Sequence, residues 1–432
     1  MRNPILYFLI LFSMVMASSN AQNKSLWPKL PVPSAEKKPH IRTIHGDTVN
    51  DDYYWMMDYF KKGSDSALVI QYLKDENQYL KEMMQDTERL QEKLFKEMKA
   101  RIKEKDESVP VFKKGYYYYT RTETGKQYYK YCRKKGSLAA PEEVLLDVDV
   151  LAEGHAYFSV GGISLSPDNN LLAFGIDTVS RRQYRLQVKN LTTGEIKDQS
   201  VANTSPNYVW ANDNQTIFYT ANNPETLLSE KIKRHHLHQS AHEDEVVYEE
   251  KDNTNYISVR KTRAENYILV SSEGTLSSEV RYLDANKPTH SFQVFQPRMN
   301  NVLYEVDADL DAFYITTNKD ALNFKLAKTA FDKTSVTNWV DVVAHRKTVL
   351  LQGIVLFKNY IVLSEKKTGW TKSESLTKKQ EKIAICRFVN QYIWPTRWQP
   401  PNFSPQFCVI ITLHWLRPHL FLIITLLPAN ES

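Results

Sequence analysis

Four histidines lie close together in the segment RHHLHQSAH and are the first candidates for chemistry in this sequence. They are His235, His236, His238 and His242, which fall within eight residues. Neutral imidazole is a common ligand of transition metals, so a histidine-rich tract of this kind can hold a metal ion. No carboxylate or cysteine pattern frames the tract. We therefore favour an exposed loop between strands and predict no metal site.

Serine-based catalysis on a hydrolase fold needs a nucleophile on a sharp strand-to-helix turn, with the sequence G-x-S-x-G. The printed sequence contains no such string. The nearest, GGISLS at Gly161, lacks the final glycine. We interpret its serines, Ser164 and Ser166, as turn residues of a hairpin. No catalytic residue is therefore assigned.

Two further groups of side chains have simpler structural explanations. The cysteines Cys132, Cys386 and Cys408 lie far apart and form no C-x-x-C pair, so neither a zinc site nor a disulfide framework is indicated. The basic segment SRRQYR, residues 180–185, could face an acidic peptide, but a solvated hairpin explains it more simply. We predict no cofactor, and the substrate-binding residues stay unknown.

These side chains must be positioned by a globular protein that is large enough for two or three domains. The chain has 432 residues, of which 42% are hydrophobic and 25% charged, with a net charge of +6. Lys and Arg are interspersed with Asp and Glu, so the charge favours solubility and not nucleic-acid binding. The 25 tyrosines favour β-rich structure.

The first 21 residues have the pattern of a signal peptide. Arg2 precedes the apolar run ILYFLILFSMVMA, and the small residues Ser19 and Ala21 stand at the minus-three and minus-one positions of a cleavage site. The run has 13 residues, which is too short for a transmembrane helix. We expect cleavage after Ala21 and export to the periplasm or the medium. An uncleaved anchor is the alternative.

Residues 22–107 are predicted to be an N-terminal segment that is first extended and then helical. From Ser66 to about Lys105, apolar residues recur in steps of three, four and seven, which predicts a helix with one apolar face. A coiled coil is the alternative, but the heptad breaks at Glu76 and Thr87. The apolar positions include Leu73, Leu80, Met83, Met84, Leu90, Leu94, Met98 and Ile102.

From Val109 the period of the apolar residues changes from 3.6 to 2. Six strand-like runs recur about every 45–55 residues: GYYYYTRT, LLAFGID, TIFYTA, NYILVSS, AFYITTN and NYIVLSE. We interpret each run as the opening of a unit of about four strands, and repeats of this length are typical of a β-propeller. The predicted fold is mainly β, with an incomplete propeller over residues 108–367. About six blades are recognisable where seven are expected.

Residues 368–432 differ from the rest of the chain. They hold half of the eight tryptophans and two of the three cysteines, and Glu431 is the only acidic residue after Glu381. Arg417 and Pro418 interrupt the apolar end, and the arginine alone would cost a membrane span about 2.5–3.5 kcal/mol. We interpret this tail as sequence foreign to the propeller, from a shifted reading frame or a truncation. Its deletion is then expected to leave the melting temperature unchanged or slightly raised.

Several segments resemble the prolyl oligopeptidase family of serine peptidases, and the oligopeptidase B branch in particular. DDYYWMMD at Asp51 is similar to the family's Asp-x-Tyr-x-Trp segment, and YLKDENQYLKEMM to the helix after it. Residues 114–136 resemble the first blade of oligopeptidase B, and residues 145–195 a later propeller stretch. The resemblance extends from about Pro39 to Glu365.

The resemblance implies a peptidase in which a propeller covers an α/β-hydrolase domain and admits short peptides. It also implies cleavage after Lys or Arg, which the oligopeptidase B branch prefers. In the family the catalytic domain lies mostly after the propeller, and such a domain needs at least about 200 residues. We therefore expect an inactive chain that lacks the catalytic domain or receives it from a separate chain. A non-catalytic propeller that binds peptides is the alternative, and neither nucleic acid nor a membrane is an expected partner.

Overall fold

The computed structural model describes residues 28–367, apart from residue 359, and the backbone of four short strands beyond them, at 370–377, 383–384, 408–409 and 423–424. The predicted signal peptide lies outside the described residues. The chain divides into two compact units between Lys103 and Glu104, and each is described by itself. In the described part of the chain, no helix is long and apolar enough to cross a membrane.

The N-terminal unit is a small hairpin followed by helices. Trp55 is buried, and its indole N–H donates a hydrogen bond of 2.9 Å to the carbonyl of Glu36, which fixes the extended segment before the hairpin. Val69 in the helical part is also buried. The elements are β1 (Ile41–Ile44), β2 (Asp47–Asn50), α1 (Asp58–Lys61), α2 (Ser66–Met83) and α3 (Glu88–Ala100).

The single long helix predicted from Ser66 is in fact two helices. A 3-10 turn at Gln85–Thr87 separates α2 from α3. The hydroxyl of Thr87 donates a hydrogen bond of 2.6 Å to the carbonyl of Met84, and such side-chain bonds compete with the helical ladder. The break therefore falls at Thr87, one of the two positions where the heptad pattern fails, whereas Glu76 lies within α2.

The second unit contains six four-stranded antiparallel sheets in chain order, which we call blades 1–6. Within each blade the strands follow one another as neighbours, and α4 (Val148–Leu151) follows blade 1. Blades 1–3 comprise β3 (Val111–Lys113), β4 (Tyr116–Arg121), β5 (Lys130–Lys135), β6 (Glu142–Asp147), β7 (Ser159–Leu165), β8 (Leu171–Asp177), β9 (Arg185–Asn190), β10 (Ile196–Asp198), β11 (Thr204–Trp210), β12 (Thr216–Asn222), β13 (Ser229–His236) and β14 (Glu245–Glu249).

Blades 4–6 repeat the same order, and the predicted mainly β propeller fold is confirmed. They comprise β15 (Tyr256–Lys261), β16 (Tyr267–Glu273), β17 (Ser278–Asp284), β18 (Gln293–Gln296), β19 (Tyr304–Ala308), β20 (Phe313–Thr317), β21 (Lys325–Thr329), β22 (Val340–Val343), β23 (Leu350–Leu356), β24 (Tyr360–Lys367), β25 (Trp370–Thr377) and β26 (Ile383–Ala384).

The six apolar runs of the sequence are the second strands of the blades, and not the first strands as interpreted. In every blade the second strand has a partner strand on each side, and in blades 2–5 a neighbouring blade also packs over each face. In β8, Leu172 and Phe174 pack with Leu145 of blade 1, whereas Ala173 packs with Trp210 of blade 3. Both faces of such a strand must therefore be apolar, which is why it dominates the sequence pattern.

The apolar core is distributed over the seams between blades. Five clusters of buried side chains join blades 1 and 2, 2 and 3, 3 and 4, 4 and 5, and 5 and 6. Each large apolar side chain that is fully buried stabilises the fold by about 1.5–3 kcal/mol. Each blade therefore depends on its immediate neighbours for stability, as in other repeat proteins.

Glycines let blades 2 and 3 approach closely at their inner strands. A methyl group at Gly175 would lie 2.5 Å from the hydroxyl oxygen of Tyr208. At Gly162, where φ is +66°, it would lie 2.6 Å from the ring of the same tyrosine. The ring of Tyr208 therefore packs against positions 162 and 175, and these two positions have no room for a residue larger than glycine.

Blade 6 continues beyond residue 367, the predicted end of the propeller. Strand β25 pairs with β24 along its whole length, from Tyr360 with Thr377 to Lys367 with Trp370, and β26 pairs with β25. The interpretation of Thr368 onward as foreign to the fold is therefore wrong for residues 370–377. Its segment WTKSESLT is mostly polar, so it lacked the apolar alternation that marked the other strands. The rest of the tail, apart from the paired strands at 408–409 and 423–424, lies outside the described residues.

Two truncations test this boundary. A chain that ends at Lys367 is expected to melt at least about 4 °C below the full chain, because β24 loses its hydrogen-bonded neighbour. A chain that ends at Ile385 keeps β25 and β26 and should melt with the full chain. Differential scanning calorimetry of the three chains provides the measurement. Equal melting temperatures for the two truncations would show that β25 adds nothing to blade 6.

Candidate functional site

The turns that follow the first strands of the blades lie next to one another in the propeller unit. The first strand of blade 3 contacts the first strands of blades 2 and 4, so these strands are the inner ones. Hydrogen bonds join the turns of successive blades: Asn169 Nδ2 to the carbonyl of Lys114, the amide of Asp168 to Asn214 Oδ1, Asn212 Nδ2 to the carbonyl of Glu265, and Asn266 Nδ2 to the carbonyl of Asp309. The turns thus form a continuous polar belt from blade 1 to blade 5.

The turn of blade 4 also contacts a blade that is not its neighbour. Lys114 of blade 1 donates to Glu265 Oε2 at 2.5 Å, and Lys113 Nζ lies 3.0 Å from Glu265 Oε1. Lys261 at the end of β15 donates to Asn212 Oδ1. We call Lys113, Lys114, Lys261 and Glu265 the turn-end cluster. Because blades 1 and 4 are separated by two others, its ion pairs cross between non-adjacent blades.

Burial perturbs the ionisation of the turn-end cluster. Burial alone would raise the pKa of Glu265, but Lys113 and Lys114 hold that pKa at about 2. Burial lowers the pKa of Lys261 to about 8, and the two other lysines act in the same direction. The cluster can therefore bind and orient charged groups. It offers no nucleophile paired with a base, so its chemistry is electrostatic.

A cation–π contact ties the same turn to a further blade. The guanidinium of Arg263 lies 5.1 Å from the ring centroid of Phe357, which follows the first strand of blade 6. The amide of Arg263 also donates to Asp307 of blade 5 at 2.8 Å. The blade 4 turn is therefore in contact with blades 1, 3, 5 and 6.

The structure corrects the interpretation of the four histidines as an exposed loop. His235 and His236 belong to strand β13, and His235 is completely buried. His238 and His242 follow the strand and lie outside it. Among the described residues, no three or more His, Cys, Asp or Glu side chains are grouped so that they could hold a metal ion.

His235 lies between two carboxylates that come from different blades. Its Nδ1 is 2.7 Å from Asp244 Oδ1 in blade 3, and its Nε2 is 2.8 Å from Asp198 Oδ2 at the edge of blade 2. Asp244 also accepts from the hydroxyl of Tyr219, and Asp198 from the amide and hydroxyl of Ser200. We call Asp198, His235 and Asp244 the histidine clamp.

The histidine clamp is charged. Burial alone would lower the pKa of His235, but the two carboxylates raise it to about 9. Burial alone would raise the pKa of Asp198, but His235 and Ser200 hold it at about 2. The imidazolium thus donates one hydrogen bond to each aspartate. The sequence analysis singled out neither aspartate: Asp244 follows the histidine tract in the chain, and Asp198 comes near His235 only through blade packing.

The serine candidates have structural roles. Ser166 is buried in the turn between β7 and β8, where its hydroxyl donates to Asp168 and accepts from the amide of Leu171. Ser164 lies within β7, opposite Ala173, and not in the turn as predicted.

The basic segment and the cysteines are not brought to either cluster. Arg181 and Arg182 are exposed in the hairpin between β8 and β9, and the amide of Arg182 donates to Asp177. Cys132 is buried in β5, and burial raises the pKa of its thiol to about 11. Cys386 lies outside the described residues, as does the side chain of Cys408.

Consecutive four-stranded antiparallel blades that bury their faces only against one another define a β-propeller domain. The sequence profile for the prolyl oligopeptidase N-terminal β-propeller domain matches residues 33–392. The chain belongs to the prolyl oligopeptidase family. The match extends past residue 367, as the pairing of β25 requires.

Relatives that match this part of the chain are peptidases. Dipeptidyl aminopeptidase BI from Pseudoxanthomonas mexicana is 40% identical over 77% of this chain and 48% of its own length. Protease 2 from Moraxella lacunata is 31% identical over 79% of this chain and 49% of its own. Oligopeptidase B from Leishmania major superposes with a TM-score of 0.74 at 28% identity, over 82% of this chain and 52% of that structure. The chain therefore spans about half the length of the relatives it matches.

Substitution of Glu265 tests the turn-end cluster. Glu265→Gln leaves Lys113 and Lys114 without their countercharge, and we expect a loss of about 1–3 kcal/mol in the free energy of unfolding. Urea titration at pH 7 measures it. Because the folded pKa of Glu265, about 2, is below its ordinary value of 4.5, the carboxylate stabilises the fold above pH 4.5 and ceases to do so as the pH falls through 2.

The matched control is Glu195→Gln, which removes an exposed carboxylate that pairs with Lys197. Exposed pairs of this kind contribute about 0–1 kcal/mol. Equal losses for the two variants would show that the ion pairs between blades 1 and 4 are no stronger than a surface pair.

Proposed function

We propose that this chain is the propeller part of an oligopeptidase B-like serine peptidase, and that it does not hydrolyse peptides by itself. The observation that carries the proposal is the match of residues 33–392 to the propeller domain of a peptidase family. The printed sequence has no G-x-S-x-G elbow, so the nucleophile, the base and the oxyanion donors would come from another part of the enzyme or a separate chain.

The side chains of the described residues support the inactivity of this chain. A serine nucleophile needs a base within hydrogen-bond reach, and the base must be able to accept its proton. The hydroxyl of Ser166 is committed to Asp168 and Leu171 within a buried turn. The imidazole of His235 donates from both nitrogens to carboxylates, so it has no lone pair with which to accept a proton.

The propeller would contribute selection of the substrate. In such an enzyme it would cover the catalytic domain, and its polar turn end would limit what passes along the channel. Short peptides are the proposed substrates, with cleavage after Lys or Arg in the complete enzyme. The relatives differ in what their names state, since one is a dipeptidyl aminopeptidase and another an oligopeptidase B. Specificity therefore needs its own measurement.

A non-catalytic propeller that binds peptides is the second candidate. The turn-end cluster favours it, because three amines and one carboxylate at the channel end can hold charged groups without any reaction. The two candidate functions predict different affinities of the isolated chain for short peptides. A binding module should hold short peptides by itself, whereas the lid of an enzyme needs the catalytic domain to complete its site.

Hydrolysis and binding can be measured on the same preparation. We expect no release of fluorophore from a dibasic peptide substrate above the buffer rate, because the groups that lower the barrier in such enzymes are absent from the described residues. Turnover that a serine-directed phosphonate inhibits would overturn the proposal. Fluorescence anisotropy of a labelled basic heptapeptide, against an acidic peptide of equal length, tests the second candidate, and saturable micromolar binding would favour it.

Export is proposed from the N-terminal sequence. Expression of the full gene in a Gram-negative host should give a mature protein that begins at Gln22 and appears outside the cytoplasm, because residues 1–21 have the pattern of a signal peptide. Intact-mass spectrometry of the periplasmic fraction measures it. A chain that keeps Met1 and stays in the cytoplasm would refute export.

A further inference from the structure

The histidine clamp has a chemical property that its purely structural role does not require. Each of its two aspartates presents an oxygen to a ring nitrogen, so both nitrogens must carry a proton for both hydrogen bonds to exist. A neutral imidazole has one N–H donor and one lone pair. On loss of the proton, one carboxylate therefore faces a lone pair inside a site where His235 is fully buried.

The contacts of the two aspartates indicate which bond is lost. Asp244 belongs to the same blade as His235, and its side chain is 1% exposed. Asp198 comes from the neighbouring blade, where β10 has three residues and an irregular register between Ile196 and Asp198. Displacing a short edge strand costs less free energy than displacing the buried link that carries Asp244. Asp198 is therefore the partner that would move away from His235.

Solvent lies next to this edge strand. A cleft of about 370 Å³ is lined by residues 196–200 of blade 2 and 238–240 of blade 3. Water in the cleft can hydrate the carboxylate of Asp198 once it turns away from His235. Deeper in the same seam, Val188 and Leu186 pack against Trp210 and Tyr219, and these apolar contacts do not depend on pH.

We propose that the histidine clamp makes the outer edge of the seam between blades 2 and 3 sensitive to pH: loss of the imidazolium proton releases strand β10 from blade 3 while the inner seam stays packed. The titratable groups that face His235 among the described residues are Asp198 from β10 and Asp244 from the link before β14. Tyr219 from β12 acts on the ring through Asp244.

The direction and the pH window follow from the raised pKa of His235. The clamp is at full strength below the ordinary histidine pKa of 6.5 and weakens as the pH rises through about 9. The low pKa of Asp198, about 2, keeps its carboxylate charged over this whole range. One proton lost over this window increases the opening of the edge by up to about a hundredfold between pH 6.5 and 9.5.

Hydrogen exchange of the full chain, read by mass spectrometry at pH 6.5, 8.0 and 9.5 and corrected for intrinsic rates, tests the proposal. Peptides that cover Ile196–Ser200 should lose protection at least about tenfold at pH 9.5. Peptides from β12 and β16 should keep theirs. Unchanged protection of residues 196–200 would overturn the proposal, because the edge strand would then not open at high pH. An equal loss of protection in β16 would also overturn it, because the whole propeller unit would then be opening.

Substitution of Asp198 separates this device from ordinary alkaline destabilisation. In Asp198→Asn the amide N–H can donate to a neutral Nε2 while Nδ1–H donates to Asp244, so the clamp is satisfied without the extra proton. Protection of residues 196–200 should then be independent of pH. The matched control is Asp252→Asn, which changes an exposed aspartate that faces no histidine and should keep the wild-type pH dependence.

A second variant covers failure of Asp198→Asn to fold. His235→Gln removes the titrating group, and we expect weak but pH-independent protection of residues 196–200. An alkaline loss in either variant as large as that of the wild type would overturn the proposal, because the proton of His235 could not then be its cause.

Discussion

Burial of each blade against its immediate neighbours is the constraint on which the structure depends. In the part of the propeller unit that the structure describes, the buried apolar clusters lie between consecutive blades. The apolar faces of the second strands are therefore removed from water at the seams. The five buried clusters each draw side chains from two consecutive blades. The positions of the turns, the edge strands and the polar groups follow from this arrangement, because it decides which segments come together.

Charged groups cluster at two places in the propeller unit, at the turn end and at the outer edge of a seam, and they act differently at each place. At the turn end, Glu265 holds lysines of a non-adjacent blade, so this interaction acts between distant parts of the repeat. At the outer edge, His235 joins the last strand of one blade to the body of the next. The ion pairs of Glu265 link blades 1 and 4, which are not adjacent. The hydrogen bonds of His235 fix strand β10, which has a partner strand on only one side.

The sequence predicted the features that recur along the chain. It did not predict the contacts between residues that are distant in the chain and close in the fold. The period-2 runs indicated the β-propeller, and the segments near Asp51 and Leu145 indicated the family, because these features are local. Most of the first strands were missed because they are more polar than the second strands, although LLQGIVL of blade 6 is an exception. Strand β25 was missed because WTKSESLT has almost no apolar residues, although its pairing with β24 is continuous. The partner of His235 across the seam lies 37 residues away and could not be found from spacing.

The glycines at the inner end of the seam between blades 2 and 3 have a consequence for the geometry of the repeat. Gly162 and Gly175 bring the ring of Tyr208 close to the backbone of blade 2, whereas the outer end of the same seam holds a whole imidazole between two carboxylates. Two blades that are close on the inside and spaced apart on the outside form a wedge. In a circular repeat the wedge angles add up, so the sizes of a few side chains at each seam determine how many blades complete a turn.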